Sequence, residues 1–135
     1  MANIRKVAMG LIDQALGMSP HALSILSKRS ELIAANLANA DTPGYKARDI
    51  DFRDALATAR GEQSGLAVAN KMHLGASNFE GSMRYRIPSQ PSLDGNTVET
   101  DLEHAAFMEN SIRYQASLNF VDGRIKSILL ALRGE

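Results

Sequence analysis

The sequence has no cysteine and no tryptophan, only four Phe and three Tyr, and no excess of charge of either sign. Without cysteine there is no disulfide staple, no thiolate metal site and no cysteine nucleophile. Scarce aromatics argue against a large aromatic-lined pocket, so aliphatic residues, Ala and Met must supply the core. Lys and Arg number 15 against 15 Asp and Glu, a formal net charge of +0. A neutral chain lacks the electrostatic footprint of a nucleic-acid binder and has no general attraction to an anionic membrane. No apolar run approaches the roughly 18 residues of a membrane span. The basic start at Arg5 and Lys6 leads into an apolar run, Val7 to Ile12, that Asp13 interrupts, and no small-residue cleavage site follows. No cleaved secretory signal is expected.

What is present is helical patterning at both ends of a chain about one domain long. Ser19-Pro20 predicts a helix start, with Ser as N-cap and Pro at the first helical position. Leu23, Leu26, Ser30, Ile33, Leu37 and Ala40 then recur at alternating spacings of 3 and 4 residues, a heptad seam that asks for a partner helix. Asp41-Thr42-Pro43-Gly44 stops it. A weaker amphipathic segment, roughly residues 4 to 16, precedes Gly17. A second long helix is predicted from near Thr97–Asp101 to Arg133, with Gly123 as a point for a bend. One of its stripes is Val98, Leu102, Ala105, Ile112 and Ala116; the other is Phe107, Ser111, Tyr114, Leu118, Val121, Ile125, Ile128 and Leu132. Its acids (Glu99, Asp101, Glu103) lie early and its bases (Arg124, Lys126, Arg133) late, as the helix dipole favours.

Between the helices, Asp51 to Leu56 predicts a short Asp-capped helix ended by Gly61. Residues 61 to 82, with Gly61, Gly65, Gly75 and Gly81 and no sustained period, read as a mobile loop. Met83 to Ile87 alternates like a strand, and with the Asp94-Gly95 turn dipeptide it predicts a small β-hairpin across residues 83 to 98, made irregular by Pro88 and Pro91. The expected fold is mainly α: long N- and C-terminal helices in a coiled-coil-like hairpin around an irregular middle. One subunit is expected, divided into a helical region 1–45, a connector 46–97 and a C-terminal helix 98–135.

Few residues point to chemistry. His21, His73 and His104 lie in separate segments without helical partners, and surface positions account for them. Asp49, Asp51 and Asp54 form a dense acidic cluster, but no Gly-centred calcium loop surrounds it and Arg48 and Arg53 are at hand. Arg84-Tyr85-Arg86 interleaves base and aromatic as single-strand binders do, yet exposed arginines on a short strand explain it equally. No nucleophile motif, phosphate loop or dinucleotide fingerprint is found. No catalytic residue, cofactor, metal, nucleic acid or small-molecule substrate is expected. The paired stripes of the second helix, more than one partner can cover, instead predict an interaction surface. The expected seam comprises Leu23, Leu26, Ile33 and Leu37 with Tyr114, Leu118, Val121, Ile125, Ile128 and Leu132. The patterns alone fit a self-associating assembly subunit or a coiled-coil adaptor.

One string goes further. Asn36, Leu37, Asn39, Thr42, Gly44 and Tyr45, with Pro43 inside it, match Asn-Leu-x-Asn-x-x-Thr-x-Gly-Tyr, which resembles the N-terminal signature of the flagellar axial proteins of rod and hook. The continuation Lys46 to Phe52, the block Tyr85 to Val98 and the later Arg113-Tyr114-Gln115-Ala116 are similar to the proximal-rod members of that family. Physically, Asn36 and Asn39 are placed to bond backbone near the helix end, and Thr42-Pro43-Gly44 to redirect the chain. Tyr45 is placed to offer its ring to a neighbouring surface. The resemblance implies a structural subunit of the periplasmic flagellar rod, its terminal helices packed into a hollow, torque-transmitting shaft. It implies export by the flagellar type III apparatus without a cleaved signal peptide. Implied partners are copies of itself, other rod proteins and the basal-body junction protein at the membrane ring. The competing classes are a cytoplasmic coiled-coil adaptor or export chaperone, and a small hydrolase.

Overall fold

The computed structural model describes residues 2–61 and 79–134. Most of the expected loop, including His73, lies outside the described residues. The N-terminal half opens with two successive helices, α1 (Ala2–Leu16) and α2 (Ser19–Ala38). Pro20 sits in the first turn of α2 as expected, but the N-cap is Met18 and no side chain caps the end. The reason lies upstream. α1 runs almost into α2, Gly17 turns the chain at φ 60°, and the Met18 carbonyl accepts the Ala22 N–H, so Ser19 is already helical.

The C-terminal helix, labelled α4 (Thr100–Arg133), has 34 residues and continues through Gly123. At 1.5 Å per residue it is about 51 Å long. Asp101 and Glu103 occupy its first turn, and Gly134 ends it in the left-handed conformation at φ 74°. α2 packs antiparallel along it: Asn36 meets Glu103, while Leu26 and Ser30 meet Asn110 about two turns further on. α1 also packs against α4.

A small antiparallel sheet sits beside this helix pair. β1 (Arg48–Ile50) pairs with β2 (Met83–Tyr85), with Arg48 opposite Tyr85, Asp49 opposite Arg84 and Ile50 opposite Met83. The strand expected at Met83 therefore exists, but its partner is β1 and not the segment 93–98. That segment forms a turn with Gly95 at φ 77°, and the prolines between could not have donated to a hairpin ladder. Pairing with β1 also sets Ile50 and Met83 onto a core. Ile25 and Leu32 of α2, Ile50 of β1 and Ala55 of α3 (Phe52–Ala59) form that core, with Phe52, Leu56 and Met83 packed against it. Each fully buried Ile or Leu contributes roughly 1.5–3 kcal/mol. Asp51 caps α3, its side chain accepting the N–H groups of Arg53 and Asp54, as the sequence predicts.

Helix α2 thus buries more than the single seam read from its heptads. Leu26 and Ile33, from that seam, are buried, and Leu23 and Leu37 are half-buried. Ile25, Leu32 and Asn36 are buried as well. By helical geometry these three lie on an adjoining stripe, the one that carries the sheet and α3.

Candidate assembly site

The signature string folds into an internal fastening. In an antiparallel ladder, residues alternate between those that bond across the pair and those whose N–H and C=O point away from it. Arg86 donates its N–H to the Ala47 carbonyl and Asp51 to the Ser82 carbonyl, both at 2.9 Å. Arg48, opposite Tyr85, is therefore an outward-facing position, and its backbone points at α2. There the Asn36 carboxamide completes the pairing: Nδ2 donates to the Arg48 carbonyl at 2.8 Å and Oδ1 accepts the Arg48 N–H at 3.1 Å. The side chain stands in for one residue of a missing third strand. Its other donor reaches Glu103 Oε2 at 3.2 Å, and Oδ1 also accepts the Tyr45 hydroxyl at 3.4 Å. Asn36 is fully buried with every hydrogen-bonding position used. Tyr45 was expected to turn outward; its ring is half-buried and its hydroxyl points into the chain.

Asn39 plays the more local part foreseen for it. Nδ2 donates to the Ala35 carbonyl at 2.8 Å, and Oδ1 accepts the Thr42 hydroxyl at 3.1 Å. The carbonyls beyond it are gathered from elsewhere, although those of Asn39 and Thr42 also accept the N–H groups of Thr42 and Tyr45. Asn96 Nδ2 lies 3.0, 2.8 and 2.9 Å from the carbonyl oxygens of Asn39, Ala40 and Thr42. Gly44, at φ 71°, donates its N–H to the Asp94 carbonyl at 2.9 Å, and Thr97 donates to the Tyr45 carbonyl at 3.0 Å. The Thr97 hydroxyl accepts the Ala47 N–H at 2.8 Å. The block before α4 is thus bonded residue by residue to the turn after α2. Pro43 is exposed at the tip of that turn. Asn96 escaped the sequence reading, although its place after Asp94-Gly95 marked a turn. Nothing local says that a turn amide will cap a helix more than 50 residues away.

A chain of alternating charges runs beneath the fastening. Arg29 of α2 grips Asp49 of β1 with two nitrogens, at 2.9 and 3.1 Å. Arg86, just after β2, bridges the other way, to Asp49 Oδ2 at 2.8 Å and to Glu103 Oε1 of α4 at 2.8 Å. Glu103 is fully buried and also receives the Asn36 amide. The quartet is neutral and joins α2, β1, the segment after β2 and α4. Burial pushes the Asp49 carboxyl up, but hydrogen bonds from Arg29 and Arg86 outweigh it and hold the group below the usual carboxylate range. The same contact raises Arg29 above its ordinary value. The acidic cluster read from the sequence therefore divides: Asp49 enters this quartet, Asp51 caps α3, and Asp54 pairs with Arg84 at 2.7 Å.

The face of α4 that meets α2 is Glu103, Ala106 and Asn110. A search for apolar periodicity passes over it, because two of the three are polar. Asn110 is buried, donating to the Leu26 carbonyl at 2.9 Å and to Ser30 Oγ at 2.7 Å. The apolar stripe picked from the sequence lies roughly 60° around the helix from this face, at 3.6 residues per turn. In the single chain most of its members stay open. Tyr114 is 37%, Leu118 41%, Ile125 43% and Leu132 79% exposed, while Val121 and Ile128 are half-buried. On α1, Ile4, Val7 and Leu11 are exposed in the same way. On the opposite flank of α4, a cavity of about 350 Å³ opens between Met18, Ala22, Leu56, Ala116 and Phe120. His21 and His104 are on the surface.

The fastened turn and the open apolar stripes lie in a chain that resembles known flagellar proteins. Residues 20–46 match the family model described as "Flagella basal body rod protein". The chain is 47% identical over 126 residues to the flagellar basal body rod protein FlgB of Aeromonas hydrophila, covering 91% of this chain and 96% of that one. It is 44% identical over 131 residues to the FlgB of Escherichia coli K12, covering 90% and 95%. The FlgB of Cereibacter sphaeroides is 44% identical over 128 residues, covering 93% and 98%. The chain belongs to the flagellar basal-body rod protein family. The family-model match spans most of α2, the turn and Tyr45, the stretch whose side chains make the internal fastening. The relatives extend the likeness over at least 90% of this rod-family chain.

Proposed function

We propose that the chain is a non-catalytic structural subunit of the proximal flagellar rod, assembling with copies of itself and other rod proteins into a hollow shaft. The observation that carries this reading is the apolar stripe from Phe107 to Leu132, left mostly open along a helix about 51 Å long. Open apolar area of that extent marks an interaction surface. In this reading regions 1–45 and 98–135 are the assembling parts and 46–97 is the connector. The signature residues Asn36, Leu37, Asn39, Thr42, Pro43, Gly44 and Tyr45 set the angle at which α2 leaves the seam. Tyr114, Leu118, Val121, Ile125, Ile128 and Leu132 meet neighbours, and torque passes through their packing. The subunit leaves the cytoplasm unprocessed through the flagellar type III apparatus. It joins the rod in the periplasm beside the junction protein at the membrane ring.

Mass spectrometry of purified basal bodies tests the reading. The subunit should be present with its N-terminus uncleaved, and deletion of its gene should abolish motility. Recovery only from the cytoplasm, bound to a single partner and absent from basal bodies, would instead support the adaptor or export-chaperone class.

A further inference from the structure

The geometry points to an acid-released latch: the quartet Arg29–Asp49–Arg86–Glu103 holds the β1–α3–β2 module onto the α2–α4 helix pair, and protonation at Asp49 opens that joint before the helix pair separates. This inference stands on the interior of the chain and does not depend on the rod reading. Asp49 is the hub, because it is the one member that touches both arginines, Arg29 at 2.9 Å and Arg86 at 2.8 Å. Around it, α2 presents Arg29 and the segment after β2 presents Arg86. α4 presents Glu103 across Arg86, and Glu109 acts on Arg29 from a distance. Arg84, opposite Asp49 in the ladder, turns its guanidinium to Asp54. No histidine is in the set.

Loss of the Asp49 charge leaves Arg29 and Arg86 partly buried, side-chain exposure 14% and 24%, without the anion between them. The helix pair has fastenings of its own that contain no titrating group. Asn110 bonds Leu26 and Ser30, and Leu26 and Ile33 are buried. With these contacts intact the pair outlasts the joint, although Glu103 also meets Asn36 of α2, and the joint keeps the Asn36–Arg48 bonds and the apolar contacts of Ile50. The sign follows from the depressed carboxyl: the stabilisation is complete above the ordinary Asp range near 4 and fades as pH falls through the lower folded value.

Hydrogen exchange of the full chain, stepped from pH 7 to pH 2 and corrected for intrinsic rates, reads the two parts independently. Protection at residues 47–51 and 82–86 should be lost below about pH 4, while α2 and the first half of α4 stay protected. Asp49→Asn, which cannot ionise, should show the module released already at pH 7 and no acid step. Asp54→Asn, which breaks only the exposed pair with Arg84, should leave the step where it is. Simultaneous loss of protection in module and helix pair would overturn the latch. So would an Asp49→Asn profile that coincides with the parent's. If Asp49→Asn unfolds altogether, Arg29→Lys decides. It keeps the charge but loses the two-nitrogen grip, and the proposal requires the acid step to move to higher pH.

Discussion

Asn36→Ala is the sharpest test of the fastening, because the cost follows from counted bonds. The substitution strips partners from the Arg48 N–H and C=O, 3.1 and 2.8 Å away. It also removes one of the two donors to the fully buried Glu103 carboxylate. An orphaned buried backbone group costs about 1–3 kcal/mol; Arg48 is half-buried, so water softens this to about 1 each. A lost bond to a charged group adds about 1.5–3 kcal/mol. The sum, about 3–5 kcal/mol, is a large share of the roughly 5–15 kcal/mol that holds a domain together. Asn39→Ala, two positions before the exposed Asp41, loses one backbone bond and one exposed hydroxyl contact, about 1 kcal/mol. Asn36→Asp keeps the shape but turns a donor into an acceptor facing the Arg48 carbonyl and the Glu103 carboxylate, so it should cost more than Ala. Urea unfolding of the three variants, followed by circular dichroism, measures the differences. The reasoning fails if Asn36→Ala costs less than about 1 kcal/mol or if Asn39→Ala costs as much as Asn36→Ala.

Leu26→Asp and Ile125→Asp should part company, since Leu26 is 2% and Ile125 43% exposed. The first should destabilise the isolated chain by several kcal/mol, on the order of 3–5. The second should leave its melting temperature nearly unchanged yet abolish swimming and incorporation into basal bodies; full motility of Ile125→Asp would remove the stripe from the assembly surface. Asn96→Ala should cost about 2–3 kcal/mol and raise amide exchange at residues 39–45, because it strips a shared donor from the carbonyls of Asn39, Ala40 and Thr42. Gly44→Ala should cost about 1 kcal/mol, for conformation alone, since an added Cβ meets nothing within 4 Å at φ +71°. A loss several times larger would mean crowding at that turn.

Periodicity made the helices legible. Contacts that join distant segments were not. Pro20, the Asp51 cap and the run to Arg133 are local signals with local causes, and they read correctly. The Met18 cap, by contrast, depends on where α1 ends. The partner of β2 depends on what the middle segment packs against. Most of all, the face of α4 that meets α2 is Glu103, Ala106 and Asn110. Each polar member is held there by groups that arrive from elsewhere. Asn36 and Arg86 donate to Glu103, and Leu26 and Ser30 accept the Asn110 amide N–H groups, while the Asn110 amide oxygen is left buried without a partner among the described residues. Hydrophobic pattern selected the stripe beside it, which the single chain leaves open. The signature string showed where the chain turns, and the structure shows that the turn is gripped from inside.

That grip has a consequence for how the chain tolerates change. Asn36 recognises Arg48 through peptide groups alone. It reads the course of the main chain and is blind to the side chain at that position. Nineteen of the twenty amino acids offer the same N–H and C=O; proline alone lacks the donor. Position 48 is therefore free to carry whatever side chain an outer surface or a neighbouring molecule requires, at little cost to the fold. The same freedom is denied to position 36, where only a carboxamide of that length offers a donor and an acceptor side by side. The fastening separates the residue that holds from the residue that is held, and leaves the second open to specialisation.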